Sequence, residues 1–379
     1  MSMILHGESA MNDATRNDPA RPAGHPPRHH GPPARHNGQP VRHDGPRSDG
    51  QQHETPLPVL FKRPGIPIAG MKQVYDVRKV DRALQEMSSQ NDALRDTYQK
   101  MLRAGGERFA VKPSGLPEMD ELYDDMPNFA EVLDDIKRQL ALCVDSRDRL
   151  ELTPMLLLGD PGIGKTHFAK RISNLLGTGF GFISMSSLTA GWIIGGASSQ
   201  WKNAKPGKVF EQFLHGEYAN PVMVIDEIDK ASSDGAYDPL GALYNLLEHD
   251  TATEFIDEFI ELPIDASDVV WMATANEEVR IPEPLLNRMN VYHIEAPDHD
   301  AACRIARSIY KELRDGHEWG AQFPPELDQA VQDKLAGSGP REMRRLLGQA
   351  FGNAKLDGRR ELGVEDIRAA QAKRRSIGF

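Results

Sequence analysis

One octapeptide constrains this chain more than any other stretch of it: Gly159-Asp160-Pro161-Gly162-Ile163-Gly164-Lys165-Thr166. Its glycines open left-handed backbone conformations, so successive N–H groups can turn inward around one point. The apolar run Met155-Leu156-Leu157-Leu158 before it has the length and composition of a buried strand. Lys165 to Leu176 after it carries a helical pattern. A helix N-terminus adds partial positive charge to those donors, which makes an anion site. Gly159, Gly164, Lys165 and Thr166 complete the pattern G-x-x-x-x-G-K-[ST]. The expectation is therefore ATP with Mg²⁺. Gly159, Asp160, Pro161, Gly162, Ile163, Gly164, Lys165, Thr166 and His167 would surround the nucleotide. Lys165 would reach the β- and γ-phosphates and the Thr166 hydroxyl the Mg²⁺.

A second strand end supports this. Val222-Met223-Val224-Ile225 is apolar and stops at Asp226-Glu227. The first carboxylate is expected in the Mg²⁺ shell. The second, Glu227, is placed to polarise an attacking water as general base. About 60 residues separate Lys165 from this pair, room for one intervening strand and its helices.

Around these motifs the chain reads as an α/β fold. Phe180–Ser184 and Val269–Thr274 are two further strands, and strands alternating with helices imply a parallel sheet flanked by helices. Phe129, Val132, Leu133, Ile136, Leu140 and Cys143 give a helix one apolar face. Residues 117–296 are expected to form this P-loop domain. Residues 297–379 read as a small α-helical lid, with helices at Ala301–Leu313, Glu326–Leu335, Arg341–Lys355 and Val364–Lys373. Residues 334–379 hold 11 Lys/Arg against 5 Asp/Glu, a solvated basic face. Upstream, residues 71–116 read as a helical segment: Val80, Leu84, Met87, Leu94 and Leu102 suggest one amphipathic helix over Met71–Arg103, ended by Gly105-Gly106. Residues 1–70, rich in Pro, Gly, His and Arg, cannot bury enough apolar surface to offset chain entropy and are expected to be disordered.

A net charge of −11 argues against a dedicated nucleic-acid binder. No stretch approaches the roughly 18 apolar residues of a membrane span. Only two cysteines occur, Cys143 and Cys303, without metal-like spacing, which suits a reducing, cytoplasmic compartment.

Beyond these motifs the chain resembles the AAA+ ATPases and, more narrowly, the ATPase module of Lon proteases. The segments Asp226-Glu227-Ile228-Asp229-Lys230-Ala231-Ser232-Ser233-Asp234, Asp238-Pro239-Leu240-Gly241-Ala242-Leu243 and Ile281-Pro282-Glu283-Pro284-Leu285-Leu286-Asn287-Arg288-Met289 carry the resemblance, which runs from about Pro127 to Ala370. It implies that Asn276 orients the attacking water and that Arg288 is an arginine finger serving the next subunit's nucleotide. Asn287 departs from the acidic residue usual beside that finger. Arg341, in Gly339-Pro340-Arg341, resembles the second sensor arginine of the lid. A finger acting in trans implies a homo-oligomeric ring, with a hexamer as the family expectation.

In Lon-like modules a loop ending in Pro-Gly carries an aromatic residue that lines a central pore. Here Trp201 sits at that place, followed by Lys202, where an aliphatic residue is usual; Lys205 also replaces an apolar residue. Tyr237 is the candidate for a second pore loop. The chain ends at Phe379, soon after the last lid helix, so a Ser–Lys protease domain is not expected in it. The function expected is ATP-driven remodelling or translocation of a protein partner through the pore. Alternatives are an ATP-controlled assembly switch with a regulatory or defence partner and, third, a DNA-associated motor.

Overall fold

The computed structural model describes residues 68–87, 91–144, 146–187, 191–231 and 238–368. The tail expectation for residues 1–67 and the candidate Tyr237 lie outside the described residues.

The sheet explains where the phosphate loop stands. Five strands, β3 (Met155–Gly159), β4 (Phe180–Ser184), β5 (Val222–Asp226), β8 (Val270–Ala275) and β9 (Asn290–Ile294), pair in the order β4-β5-β8-β3-β9. All four pairings are parallel, so every strand's carboxyl end opens on the same edge. The strands are covered on both faces, and their alternation shows it. Met155, Leu157, Val222, Val224, Val270 and Met272 enter one core. Leu156, Leu158, Met223, Ile225, Trp271 and Ala273 enter the other. Period-two side-chain alternation sends neighbours to opposite faces, so a run of Leu or Val becomes the centre of a two-sided core.

Four of these strands were expected; β9 was not. Asn-Val-Tyr-His-Ile has a half-polar pattern because β9 is the sheet's edge, with only Tyr292 and Ile294 buried. The Tyr292 hydroxyl donates to Asp135 Oδ2 at 2.6 Å, tying the edge to the helix above it.

The amino-terminal segment corrects the expectation of a single helix over Met71–Arg103. It is a β-α-α-β unit: β1 (Ile68–Gln73), α1 (Val77–Glu86), α2 (Asp92–Ala104) and β2 (Glu107–Lys112). β1 and β2 pair antiparallel from Ile68↔Lys112 to Gln73↔Glu107. A helical period had bridged a real break: Met87 is extended, and Asn91 begins a new helix by accepting the Leu94 N–H at 3.1 Å. Gly105, at φ 73°, ends α2. Val80, Leu94, Tyr98 and Met101 pack into the same core as Leu156, so this unit covers one face of the sheet. Polar clamps hold it there. Asn220 Oδ1 accepts from Val111 N at 3.0 Å and its Nδ2 donates to Val111 O at 2.6 Å. The buried Lys72 ammonium meets Asp265 and Asp268, each at 2.8 Å.

Between strands lie α3 (Asp120–Asp125), α4 (Ala130–Cys143), α5 (Lys165–Leu176), α6 (Lys208–His215), α7 (Leu243–Leu246), α8 (His249–Ala252) and α9 (Glu283–Leu286). A short hairpin of β6 (Phe255–Ile256) and β7 (Pro263–Ile264) precedes β8. The lid follows β9 and is built on α10 (His299–Asp315), α11 (Gln329–Leu335) and α12 (Pro340–Leu356). On α12, Met343, Leu346, Leu347, Ala350, Phe351 and Ala354 recur at helical spacing and face α10 through Ile305, Ile309 and Tyr310. The helix expected at Glu326 begins instead after Asp328, whose carboxylate caps it by accepting Ala330 N–H at 2.9 Å. Of the helix expected at Val364–Lys373, the described part is one 3₁₀ turn, Val364–Asp366.

Candidate functional site

The phosphate loop leaves β3 and enters α5 through two left-handed glycines, Gly162 at φ 87° and Gly164 at φ 108°. Side chains rarely adopt those values, which is why glycine occupies both positions. Gly159 serves packing: a Cβ there would collide with the Ile294 carbonyl of β9 and stand 2.8 Å from Ile163 Cδ1. Beneath the loop, Phe129 stacks on Phe168 with ring centres 4.5 Å apart. Lid and sheet then close over it. Arg341 N–H reaches Gly162 O at 3.4 Å, joining the start of α12 to the loop.

A cavity of about 330 Å³ results, lined on the loop side by Pro161 through His167 and on the sheet side by Asp226, Glu227, Thr274 and Asn276. Ile305, Ser308, Ile309 and Glu312 of α10 and Arg341 and Arg344 of α12 close it from the lid. Lys165 is buried, and its ammonium donates to Gly159 O at 2.5 Å, Asp160 O at 3.0 Å and Asn276 Oδ1 at 3.0 Å. Desolvation pulls its pKa below the ordinary lysine value, against the pull of Asp226, Asp229, Asp160 and Glu227. A buried cation restrained by neutral carbonyls is well suited to exchange them for phosphate oxygens.

Thr166 Oγ1, in the first turn of α5, donates to Asp226 Oδ1 at the end of β5 at 2.8 Å. The intervening strand β8 completes this link. Thr274 Oγ1 donates to the same Asp226 oxygen at 2.9 Å and accepts Glu227 N–H at 3.0 Å. Glu227 itself sits at φ 57°, a left-handed conformation unusual for a non-glycine residue and often found at working sites. Thr166 and Asp226 thus offer a hydroxyl and a carboxylate oxygen at one point, a hard donor pair that fits a Mg²⁺ ion.

The sequence reading missed Thr274. A hydroxyl at the end of an otherwise apolar strand, two residues before Asn276, was the available signal; its side chain is 1% exposed.

Of the other candidates, Gly159 and Asp160 are not among the residues that line the cavity. Arg288 is elsewhere: its guanidinium donates to Glu248 Oε2 at 3.2 and 3.0 Å and to Pro284 O at 2.7 Å, beside Asn287. Trp201 and Lys202 are exposed on the loop between Gly195 and Gly207. Buried Asp257 organises that loop's base. Its carboxylate accepts Gly207 N–H at 2.7 Å, Phe259 N–H at 2.9 Å and Ile260 N–H at 3.2 Å. A Cβ on Gly196, at φ 84°, would collide with it. Farther out, Ala197 N–H meets Lys205 O at 3.0 Å and Asn91 Nδ2 donates to Ser199 O at 2.7 Å.

An inward-turned loop at the carboxyl end of β3, with carboxylates on β5 and one strand between, is the arrangement of the P-loop nucleoside triphosphatases. Residues 155–295 match the family model described as ATPase family associated with various cellular activities (AAA). The Lon protease of Finegoldia magna is 31% identical over 230 residues, 59% of this chain and 30% of that protein. The Lon protease of Metamycoplasma arthritidis is 38% identical over 207 residues, 53% of this chain and 25% of its own length. The chain spans under a third of the curated relatives it matches, and the shared part is their ATPase module. Among solved structures, the RuvB Holliday junction branch migration motor of Thermotoga maritima aligns with a TM-score of 0.45 at 17% identity, over 68% of this chain and 70% of that one. Among the described residues no helix is long and apolar enough to cross a membrane.

Proposed function

We propose that this ATPase works as a homo-oligomeric ring, a hexamer in keeping with its Lon relatives, that grips an extended polypeptide with the Trp201 loop. Within one subunit Lys165 binds the β- and γ-phosphates, Thr166 and Asp226 hold Mg²⁺ and Glu227 takes the proton of the attacking water. Bound Mg²⁺ supplies charge neutralisation at the phosphates. Asn276, already within reach of Lys165, orients that water, and Arg341 couples the lid to the nucleotide. Arg288, outside its own chain's cavity, is presented to a neighbour's. A cytoplasmic location belongs to the same reading.

The observation that carries the pore reading is the Trp201 loop. Its base is pinned by a buried carboxylate, while Trp201 itself is 41% exposed. A broad aromatic face on a rigid base suits a contact that slides along a chain without reading its sequence. Lys202 and Lys205 are exposed on the same loop. They would favour acidic stretches of the client.

The test uses a reduced, alkylated and permanently unfolded acidic protein as the probe. It should stimulate ATP turnover by the full chain. Trp201→Ala should keep basal turnover and ring size while losing the stimulation. No stimulation of the unsubstituted protein, or equal loss of basal turnover and assembly in Trp201→Ala, overturns the reading.

A further inference from the structure

Away from the nucleotide, the lid brings Asp333 of α11 to two neighbouring side chains of α10. His299 and Cys303 stand one turn apart at the start of α10, and Asp333 lies on α11. Cys303 Sγ is 3.8 Å from His299 Nδ1 and 3.7 Å from Asp333 Oδ1, and His299 Nε2 is 3.9 Å from Asp333 Oδ1. One ligand atom from each residue lies within 4.8 Å of the other two. We propose that His299, Cys303 and Asp333 form a zinc-binding site that staples α10 to α11, with water completing the coordination.

With His299 Nε2 as the ligand, its 3.9 Å to Asp333 Oδ1 and the 3.7 Å from Asp333 Oδ1 to Cys303 Sγ are two edges close to what zinc demands. Bond lengths of about 2.3 Å to sulfur and about 2.0–2.2 Å to nitrogen and oxygen put tetrahedral ligand atoms about 3.3–3.6 Å apart. Small rotations of two exposed side chains, His299 and Asp333, close the difference, while buried Cys303 fixes the third corner. Neighbours are placed to orient the ligands. Gln329 Nε2 donates to Asp333 Oδ1 at 2.8 Å, and Asp300 Oδ1, 3.7 Å from His299 Nδ1, can take that N–H when Nε2 turns to the metal. A thiolate and an imidazole select a borderline-soft ion over Mg²⁺ or Ca²⁺. Binding forms the zinc–sulfur bond and releases the thiol proton to solvent. Ile305, Ser308, Ile309 and Glu312, farther along α10, line the nucleotide cavity. Zinc would therefore stiffen the first turn of the lid's first helix, directly before its cavity contacts.

The inference does not depend on the ring or pore reading, and its test needs no ATP. The full chain, stripped with a chelator, is titrated with Co²⁺ as a spectroscopic stand-in and then with Zn²⁺. One sulfur-to-cobalt charge-transfer band per chain is expected, abolished by one equivalent of Zn²⁺ and by Cys303→Ser, and retained in Cys143→Ser. His299→Gln and Asp333→Asn, at exposed positions and so expected to keep the fold, should each weaken Zn²⁺ binding more than about tenfold. Unchanged helical circular dichroism without metal confirms that they are folded. Histidines of the tail can bind Co²⁺ too, but give no sulfur band. Absence of the band, its survival in Cys303→Ser, or unchanged Zn²⁺ affinity in both His299→Gln and Asp333→Asn overturns the proposal.

Discussion

A single hydroxyl carries much of the geometry at the centre of the site. Thr274 touches both acidic residues where β5 ends: it holds the Asp226 carboxylate and receives the Glu227 amide. Thr274→Val keeps the shape and leaves that N–H without an acceptor, which costs about 1–3 kcal/mol. Nucleotide affinity should persist while turnover falls, since what is lost is the aim of Glu227. Melting curves and steady-state ATPase rates check this; unchanged turnover would mean that Thr274 only packs. Glu227→Gln tests the proposed proton abstraction. It retains the backbone and the hydrogen-bonding shape but cannot accept the water's proton, so turnover should drop about 10²–10⁴-fold with nucleotide still bound. Fluorescent-nucleotide titration beside single-turnover hydrolysis separates the two quantities. Gly159→Ala has a different signature. Its new methyl group meets the Ile294 carbonyl, a backbone atom that cannot yield without moving β9. Both stability, by about 1–3 kcal/mol, and nucleotide affinity should fall together.

At the scale of elements, the strands with continuous apolar runs were legible because burial on both faces demands such runs. The edge strand β9 was not, since an edge needs only alternate residues inside, and Asn290 and His293 face out. The β-α-α-β unit was misread for a related reason. Its two helices share one apolar period across the break, and the capping asparagine at Asn91 was the signal passed over. The phosphate loop and the Asp226-Glu227 strand end were fully visible, as local chemistry fixes their residue types. Asp257 was invisible, because what matters is its partners, and those are brought together only by the tertiary fold. Burial raises its carboxyl from the ordinary 3.8 to about 6 although three backbone N–H groups pull the other way. The folded chain therefore binds that proton more tightly than the unfolded chain. The group's contribution to stability is greatest below pH 3.8 and is lost as pH rises through about 6. Asp257→Asn removes the titration, so the variant should gain stability relative to the parent between those limits. Urea midpoints at either end of the window measure it; parallel pH dependences would refute the assignment.

For the whole molecule, the decisive question is whose nucleotide Arg288 serves. Within its own chain it is bound to Glu248 and Pro284 and is not among the residues that line the cavity. A guanidinium stabilises a transferring phosphoryl group only when it touches that group. In a heterologous ring each subunit offers one face to the next and closes the circle, so a finger on one face can reach the loop on the other. Two inactive variants then complement each other. Lys165→Ala disables its own cavity but still presents Arg288; Arg288→Ala has a competent cavity but no finger to lend. Each alone should be nearly inactive. Mixed in equal amounts, about a quarter of the interfaces pair an intact cavity with an intact finger, and a corresponding share of turnover should return. If Arg288 instead acts inside its own chain by holding Glu248, then Glu248→Ala reproduces the Arg288→Ala defect and mixing restores nothing. The two outcomes separate a shared site from a self-contained one by ATPase measurements on mixtures at fixed total protein.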